Sequence, residues 1–229
     1  MFDKKEHITI NLGEQSPYIE SNDGTININL ASNKSSLSKE ELLSNINQAS
    51  VDLSLYENKF QGKIHIDRKE TADIYNWIVE DLKENESNIA LLVGNAGYGK
   101  SVVLKDLFDL LSINNIPALG IKADKILNIN SLKDIESELN LHDNILSIFQ
   151  SLSVNYSSIV LLIDQIDALS QSLSSNRNAI NSYDRLIKQL ENYPNVRIVI
   201  SCRTYDLDYD PTLRSYKSKN IFNIYLLDI

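Results

Sequence analysis

The stretch GNAGYGKS, from Gly94 to Ser101, fits the pattern G-x-x-x-x-G-K-[ST] of a phosphate-binding loop. In this pattern Gly94 and Gly99 let the backbone wrap around a polyphosphate with its N–H groups pointing inward. Lys100 reaches the β- and γ-phosphates, and the Ser101 hydroxyl ligates Mg²⁺. We therefore expect nucleotide binding by the whole stretch and the residue after it: Gly94, Asn95, Ala96, Gly97, Tyr98, Gly99, Lys100, Ser101 and Val102.

The residues on either side have the pattern of a strand before the loop and a helix after it. Residues 89–93 form a continuous apolar run, and residues 101–111 carry apolar side chains at helical spacing. Strand, loop and helix is the arrangement that the motif requires. The start of the helix adds unpaired N–H groups and the positive end of a dipole for the phosphates. This context favours a nucleotide site over the alternative, a glycine-rich turn before an ordinary helix.

The overall composition argues against several other classes of protein. The 229 residues carry a net charge of −9 with a pI near 4.8, which argues against a broad electrostatic surface for nucleic acid. A single cysteine excludes an internal disulfide framework and a Cys-based zinc site. The charged N-terminus lacks the apolar region of a signal peptide, and no apolar run approaches the ~20 residues of a membrane span. We therefore expect a cytoplasmic protein with no membrane partner.

We predict three regions along the chain: an N-terminal β-hairpin or leader at 1–35, a connecting helix and linker at 36–62, and a nucleotide-binding core at 63–229. In the first region, residues 8–12 and 26–30 alternate apolar and polar, and Asp23-Gly24 is a turn signal between them. The apolar face of such a hairpin would pack on the core or on a copy of itself. A homo-oligomer through this segment or through the core is one expectation, and a poorly ordered Asn/Ser-rich leader is the alternative.

Strand and helix patterns alternate along the core. The order predicts an α/β fold, a P-loop NTPase three-layer sandwich with a parallel sheet and right-handed crossovers, preceded by the small hairpin and a helix. A capping box, Ser38 with Glu41, opens that preceding helix. The strands are expected at 89–93, 118–122, 159–163, 196–201 and 221–227, and the core helices at 101–111, 131–153 and 179–191.

An acidic motif follows one of these buried strands. The run 159–163 ends in Asp164-Gln165-Ile166-Asp167, the arrangement called Walker B, in which Asp164 would hold Mg²⁺ together with Ser101. Asp167 is the nearest candidate to polarise the attacking water. Gln165 can orient water by hydrogen bonding but cannot act as a strong base. The alternatives are that Asp164 and Asp167 simply cap a turn or the next helix.

An arginine follows the strand at 196–201. At the carboxyl end of a parallel strand it would lie on the ligand side of the sheet, beside Asp164 if the strand order is the usual one. We expect Arg203 to sense the γ-phosphate, and the alternative is an ion pair with a nearby aspartate such as Asp164, Asp206 or Asp208. Catalytic roles are thus expected for Asp167, Arg203 and Lys100. Cys202 is more simply a buried small apolar residue than a nucleophile.

The segments 94–101, 159–167 and 201–203 together resemble the STAND class of signal-transduction ATPases, especially NACHT-like members, which are related to AAA ATPases. The resemblance implies that the segment around Arg68 precedes the first helix and that its backbone helps to hold adenine. Asp67 stands where the class usually has glycine, and it suits an N-cap. Gln165 and Ala168 replace the small and acidic residues that are usual after the two Walker B aspartates.

The resemblance implies a switch that binds ATP with Mg²⁺, hydrolyses it slowly and changes its assembly state, with a possible part in bacterial antiviral defence. It also implies a sequence truncated before a helical lid and a sensor region, because the class continues beyond its last strand. Two alternatives stay open: a P-loop phosphotransferase and a scaffold that binds nucleotide without turnover. No guanine-reading motif is present, so ATP is expected rather than GTP.

Overall fold

The computed structural model describes residues 19–22, 25–28, 37–60, 63–126, 129–170 and 177–225. The chain divides into two compact units, Met1–Asn33 and Lys34–Ile229. In the smaller unit, β1 (Ile19–Asn22) pairs antiparallel with β2 (Thr25–Ile28). The second predicted strand, 26–30, is thus present in part as β2, and it pairs with residues 19–22, a segment for which no strand was predicted. The segment 8–12 lies outside the described residues.

The larger unit alternates helices and strands in the predicted order. Its helices are α1 (Lys39–Ala49), α2 (Val51–Ser54), α3 (Lys69–Val79), α4 (Lys100–Ile113), α5 (Leu132–Glu138), α6 (Ile145–Ser153), α7 (Arg177–Leu190), α8 (Thr204–Tyr209) and α9 (Pro211–Arg214). Its strands are β3 (Lys59–Phe60), β4 (Ile64–His65), β5 (Ile89–Val93), β6 (Ala118–Lys122), β7 (Ile159–Asp164), β8 (Val196–Cys202) and β9 (Asn220–Asn223). β3 and β4 form a separate antiparallel pair.

The main sheet has five strands in the order β6-β7-β8-β5-β9, and every neighbouring pair is parallel. Parallel strands need crossover connections, which the helices between them supply. β8 lies between β5, which leads into the glycine-rich loop, and β7, which ends at Asp164. The carboxyl ends of these three strands therefore meet at one edge of the sheet.

Each face of the sheet is covered by helices, so the predicted three-layer sandwich is confirmed. Successive side chains of a strand point to opposite faces. In β7, Ile159, Leu161 and Ile163 belong to the core beneath α1, α6 and α7, whereas Val160 and Leu162 belong to the core beneath α3 and α4. A strand that is buried on both faces needs apolar residues at every position, which is why the sequence runs are continuous rather than alternating.

The N-termini of α1 and α3 differ in how they are capped. The predicted capping box of α1 is present, with Ser38 and Glu41 each accepting from the other's backbone N–H. The predicted N-cap of α3 is wrong. That helix begins at Lys69, so Arg68 occupies the cap position and Asp67, whose side chain is fully exposed, lies one residue too early to cap it.

Candidate functional site

Gly97 and Gly99 in the glycine-rich loop adopt a backbone conformation that favours glycine, whereas Gly94, the first glycine of the motif, does not. Gly97 and Gly99 have left-handed φ angles of 81° and 92°, and a Cβ at either would meet no atom within 4 Å. Glycine is therefore required at both positions for its backbone conformation, which a residue with a side chain would adopt only under strain. α4 starts directly after Gly99, and no described side chain caps its N-terminus. Its first N–H groups are thus available to an anion.

Gly94 is required for a different reason, a close approach of the chain after β9. A Cβ on Gly94 would lie 2.3 Å from Ile224 Cγ2 and 2.8 Å from the Ile224 carbonyl oxygen. The backbone at Ile224 is held there because its N–H donates to the Val93 carbonyl at 2.8 Å. The first glycine of the motif therefore makes room for a neighbouring strand exit.

Lys100 lies on the floor of the loop. Its ammonium donates to the carbonyl oxygens of Gly94 (2.8 Å) and Asn95 (3.0 Å), and the residue is buried. Burial lowers the pKa of Lys100, while the nearby charge of Asp167 acts in the opposite direction. The two carbonyl bonds hold the ammonium inside the loop.

Asp164 ends β7, is fully buried and accepts two side-chain hydrogen bonds. Ser201 Oγ donates to Oδ1 at 2.6 Å, and Lys122 Nζ donates to Oδ2 at 2.7 Å. Burial lowers the pKa of Lys122, but the charge of Asp164, the hydrogen bond to it and the charge of Asp124 together outweigh burial, so the pKa lies above its usual value. Neither partner of Asp164 was predicted from the sequence. The signal was present, since each is a polar residue near the carboxyl end of an apolar strand.

Gln165 connects the acidic motif to the phosphate loop. It is one of the non-glycine residues with a positive φ (57°), a conformation that costs energy and commonly marks a functional site. Its backbone N–H donates to Ser201 Oγ at 2.8 Å, and its side-chain Nε2 donates to Ser101 Oγ at 3.4 Å. The turn thus aims the Gln165 amide at the predicted metal-binding hydroxyl.

Asp167 forms an ion pair with Arg203, in which Arg203 Nε lies 3.0 Å from Asp167 Oδ2. The predicted alternative, an ion pair of Arg203 with a nearby aspartate, is therefore present, and Asp167 is the partner rather than one of the three given as examples. Asp167 Oδ1 is buried without a hydrogen-bond partner among the described residues. Burial raises the pKa of Asp167, and the charge of Arg203 lowers it, with the net shift upward.

Cys202 is the last residue of β8, directly before Arg203, and is fully buried. Burial raises the pKa of its thiol to about 12, so the thiol stays protonated and is not a nucleophile.

One cleft of about 400 Å³ collects most of the predicted residues, within the usual range for a small-molecule site. A wider pocket of about 670 Å³ lies beside Asn88 and Arg197 at the amino ends of β5 and β8, so volume alone does not identify the site. The cleft is lined by Tyr56, Ala96, Gly97, Gly99, Lys100, Ser101, Val102, Gln165, Asp167 and Arg203.

Arg68 stands apart from this cleft. Its buried guanidinium donates through Nη2 to the carbonyl oxygens of Tyr98 (2.8 Å) and Tyr225 (3.0 Å). The side chain therefore ties the phosphate loop to the segment that leaves β9. The expected role of its backbone toward adenine stays a prediction.

These residues suit a nucleoside triphosphate and, in part, the Mg²⁺ that would accompany it. The uncapped helix start, the two left-handed glycines and the Lys100 ammonium are donors suited to phosphate oxygens. Ser101 offers a hydroxyl of the kind that Mg²⁺ prefers, whereas both oxygens of Asp164 are already hydrogen-bonded. The described residues contain no cluster of three or more His, Cys, Asp or Glu side chains that could hold a metal by themselves.

A parallel sheet with a glycine-rich loop between β5 and α4, and with an aspartate ending β7, defines a P-loop NTPase. The sequence profile of the ATPase family associated with various cellular activities (AAA) matches residues 90–225, more than half of the chain. The chain belongs to this family. No curated protein sequence matches it. Within the described part of the chain, no helix is both long and apolar enough to cross a membrane.

Several solved structures are similar to this chain at low sequence identity. A DNA replication initiation factor is 14% identical with a TM-score of 0.48, over 75% of this chain and 50% of its own. DnaA from Aquifex aeolicus, solved with AMPPCP bound, is 14% identical with a TM-score of 0.47, over 75% and 51%. A Walker-type ATPase of Pyrococcus abyssi is 14% identical with a TM-score of 0.45, over 75% and 57%. The chain thus spans only about half the length of these proteins.

Proposed function

We propose that the chain is the core of a nucleotide-dependent switch, which binds ATP and hydrolyses it slowly. The observation that carries this proposal is the single cleft that brings Lys100 together with the Asp167–Arg203 pair. Lys100 would bind the β- and γ-phosphates. Ser101 would hold Mg²⁺, and Asp164 would join it only on losing its present hydrogen bond from Lys122. When bound, the metal would neutralise charge on the phosphate oxygens.

In this proposal the ion pair reports the presence of the γ-phosphate. A γ-phosphate entering the cleft would compete with Asp167 for the Arg203 guanidinium, since both are anions that the guanidinium can bind. Release of Arg203 would leave the Asp167 carboxylate free to accept a proton from the attacking water. The unpartnered Oδ1 and the upward-shifted pKa of Asp167 support its role as that base.

Slow turnover and a switching role follow from what surrounds the base. Gln165, a neutral residue, follows Asp164, and Asp167 is held by Arg203 when nucleotide is absent. The resemblance to STAND and NACHT-like ATPases supports a signalling or antiviral role with nucleotide-controlled self-association. Light scattering of the chain with ADP and with a non-hydrolysable ATP analogue would test the change of assembly.

The phosphate cradle is tested by Lys100→Ala in calorimetry with ATP. Deleting the ammonium removes charge-assisted bonds worth about 1.5–3 kcal/mol, so affinity should fall by roughly tenfold or more. Lys105→Ala, on the same helix but paired with Asp109, is the matched control and should bind like the parent. Equal affinity in Lys100→Ala and the parent would refute the proposal.

A scaffold that binds nucleotide without turnover is the second candidate. The Asp167–Arg203 ion pair supports it, because a base that stays paired cannot accept a proton. Release of phosphate from ATP, measured beside Asp167→Asn, separates the two candidates. A parent rate no higher than that of Asp167→Asn, with ATP bound to both, would favour the scaffold.

A further inference from the structure

The buried ion pair between Lys122 and Asp164 occupies one oxygen of the carboxylate that the Walker B motif assigns to the metal. The two residues are register partners on the neighbouring parallel strands β6 and β7. Their side chains are 4% and 0% exposed. Because the register brings them opposite each other, the contact is part of the sheet rather than an accident of a mobile surface chain.

Further groups hold the Lys122 ammonium in place. It lies 3.6 Å from Asp124 Oδ1 and 4.8 Å from the centre of the Tyr56 ring. Tyr56 also lines the nucleotide cleft. On its other oxygen Asp164 accepts from Ser201, so its two oxygens already accept from a cation and a hydroxyl. A carboxylate with these two partners attracts a metal ion less strongly than a free carboxylate does.

We propose that Lys122 competes with Mg²⁺ for Asp164 and so sets the metal requirement of the site. This inference rests on the proposed nucleotide binding. With Lys122 in place, the positive charge beside Asp164 is already supplied by the protein, and a divalent cation meets the repulsion of an ammonium at short range. The chain therefore binds ATP with only a weak dependence on Mg²⁺. Asp164 becomes available to the metal only when the ammonium moves away.

The test measures binding of a fluorescent ATP derivative to the full chain, in EDTA and across a Mg²⁺ titration. In the parent the two affinities should be close. In Lys122→Gln, which keeps a donor for Asp164 but removes the charge, Mg²⁺ should tighten binding by about tenfold or more, the size expected for one unit charge at short range. Lys125→Gln removes an exposed charge three residues further on and should behave like the parent.

Asp164→Asn supplies a second measurement of the Mg²⁺ dependence, which does not require a Lys122 variant that folds. In the parent background this change should leave the Mg²⁺ dependence unaltered, because Lys122 already occupies the carboxylate. The inference is overturned if Asp164→Asn abolishes a strong Mg²⁺ dependence, or if Lys122→Gln and the parent respond equally to Mg²⁺. Loss of ATP binding by the parent under all conditions would instead contradict the proposed function.

Discussion

Gly94→Ala should destabilise the fold through a steric clash, independently of any nucleotide. The added Cβ would lie 2.3 Å from Ile224 Cγ2 and 2.8 Å from the Ile224 carbonyl oxygen, both shorter than normal contacts. Ile224 is buried and its N–H is bonded to Val93, so it cannot retreat freely. Overpacking of this kind costs about 1–3 kcal/mol in the free energy of unfolding.

Ile224→Ala provides the double-mutant test, because it removes the nearer atom and leaves the carbonyl. In that background the cost of Gly94→Ala should fall by about 1 kcal/mol, as expected for residues in direct contact. Gly97→Ala is the control: its φ of 81° makes it costly, but no atom lies within 4 Å of its Cβ. Its cost should be equal in both backgrounds. Urea unfolding without nucleotide measures the parent, the three single variants and the two double variants. An undiminished cost of Gly94→Ala in the Ile224→Ala background would refute the clash.

Two further changes test the polar contacts of the site. Arg203→Gln removes the charge that lowers the pKa of Asp167 in the free protein, so the acid limb of the pH profile of kcat/KM for ATP should move to higher pH. An acid limb that stays in place would contradict this. Arg68→Lys should lose the bridge between the Tyr98 and Tyr225 carbonyls and destabilise by about 1–3 kcal/mol. Amide hydrogens of the phosphate loop should exchange faster in Arg68→Lys than in the parent. Lys69→Ala, at an exposed neighbouring position, is the control and should exchange like the parent.

The fold was largely predictable because its signals are local. Four of the five main-sheet strands, β5 to β8, are short and mostly apolar runs, and α4 follows its glycine-rich loop directly, so periodicity and motif spacing were enough to predict the α/β sandwich. The differences from the predictions concern placement. The N-cap of α3 lies one residue later than predicted, and β2 pairs with residues 19–22, for which no strand was predicted. Helix ends and strand partners depend on small energy differences that a periodic pattern does not reveal.

The site was only partly predictable because its decisive contacts join distant parts of the chain. Asp164 was identified from the strand that precedes it, but its partners are 42 residues earlier, at Lys122, and 37 residues later, at Ser201. Which carboxylate faces Arg203 likewise depended on a turn in which Gln165 adopts a left-handed conformation. The spacing of the motif predicts neither the register of the sheet nor the conformation of that turn.

The sequence by itself determined the phosphate loop, the apolar strands and the acidic residue that ends β7, since each depends on neighbours within a few positions. Only the tertiary structure decided that Gly94 makes room for Ile224, that Lys122 neutralises Asp164 and that Arg203 holds Asp167. The physical reason is the strand order β6-β7-β8-β5-β9, which brings residues from separate crossovers to one edge of the sheet. Charges and close contacts at that edge are properties of the assembled sheet.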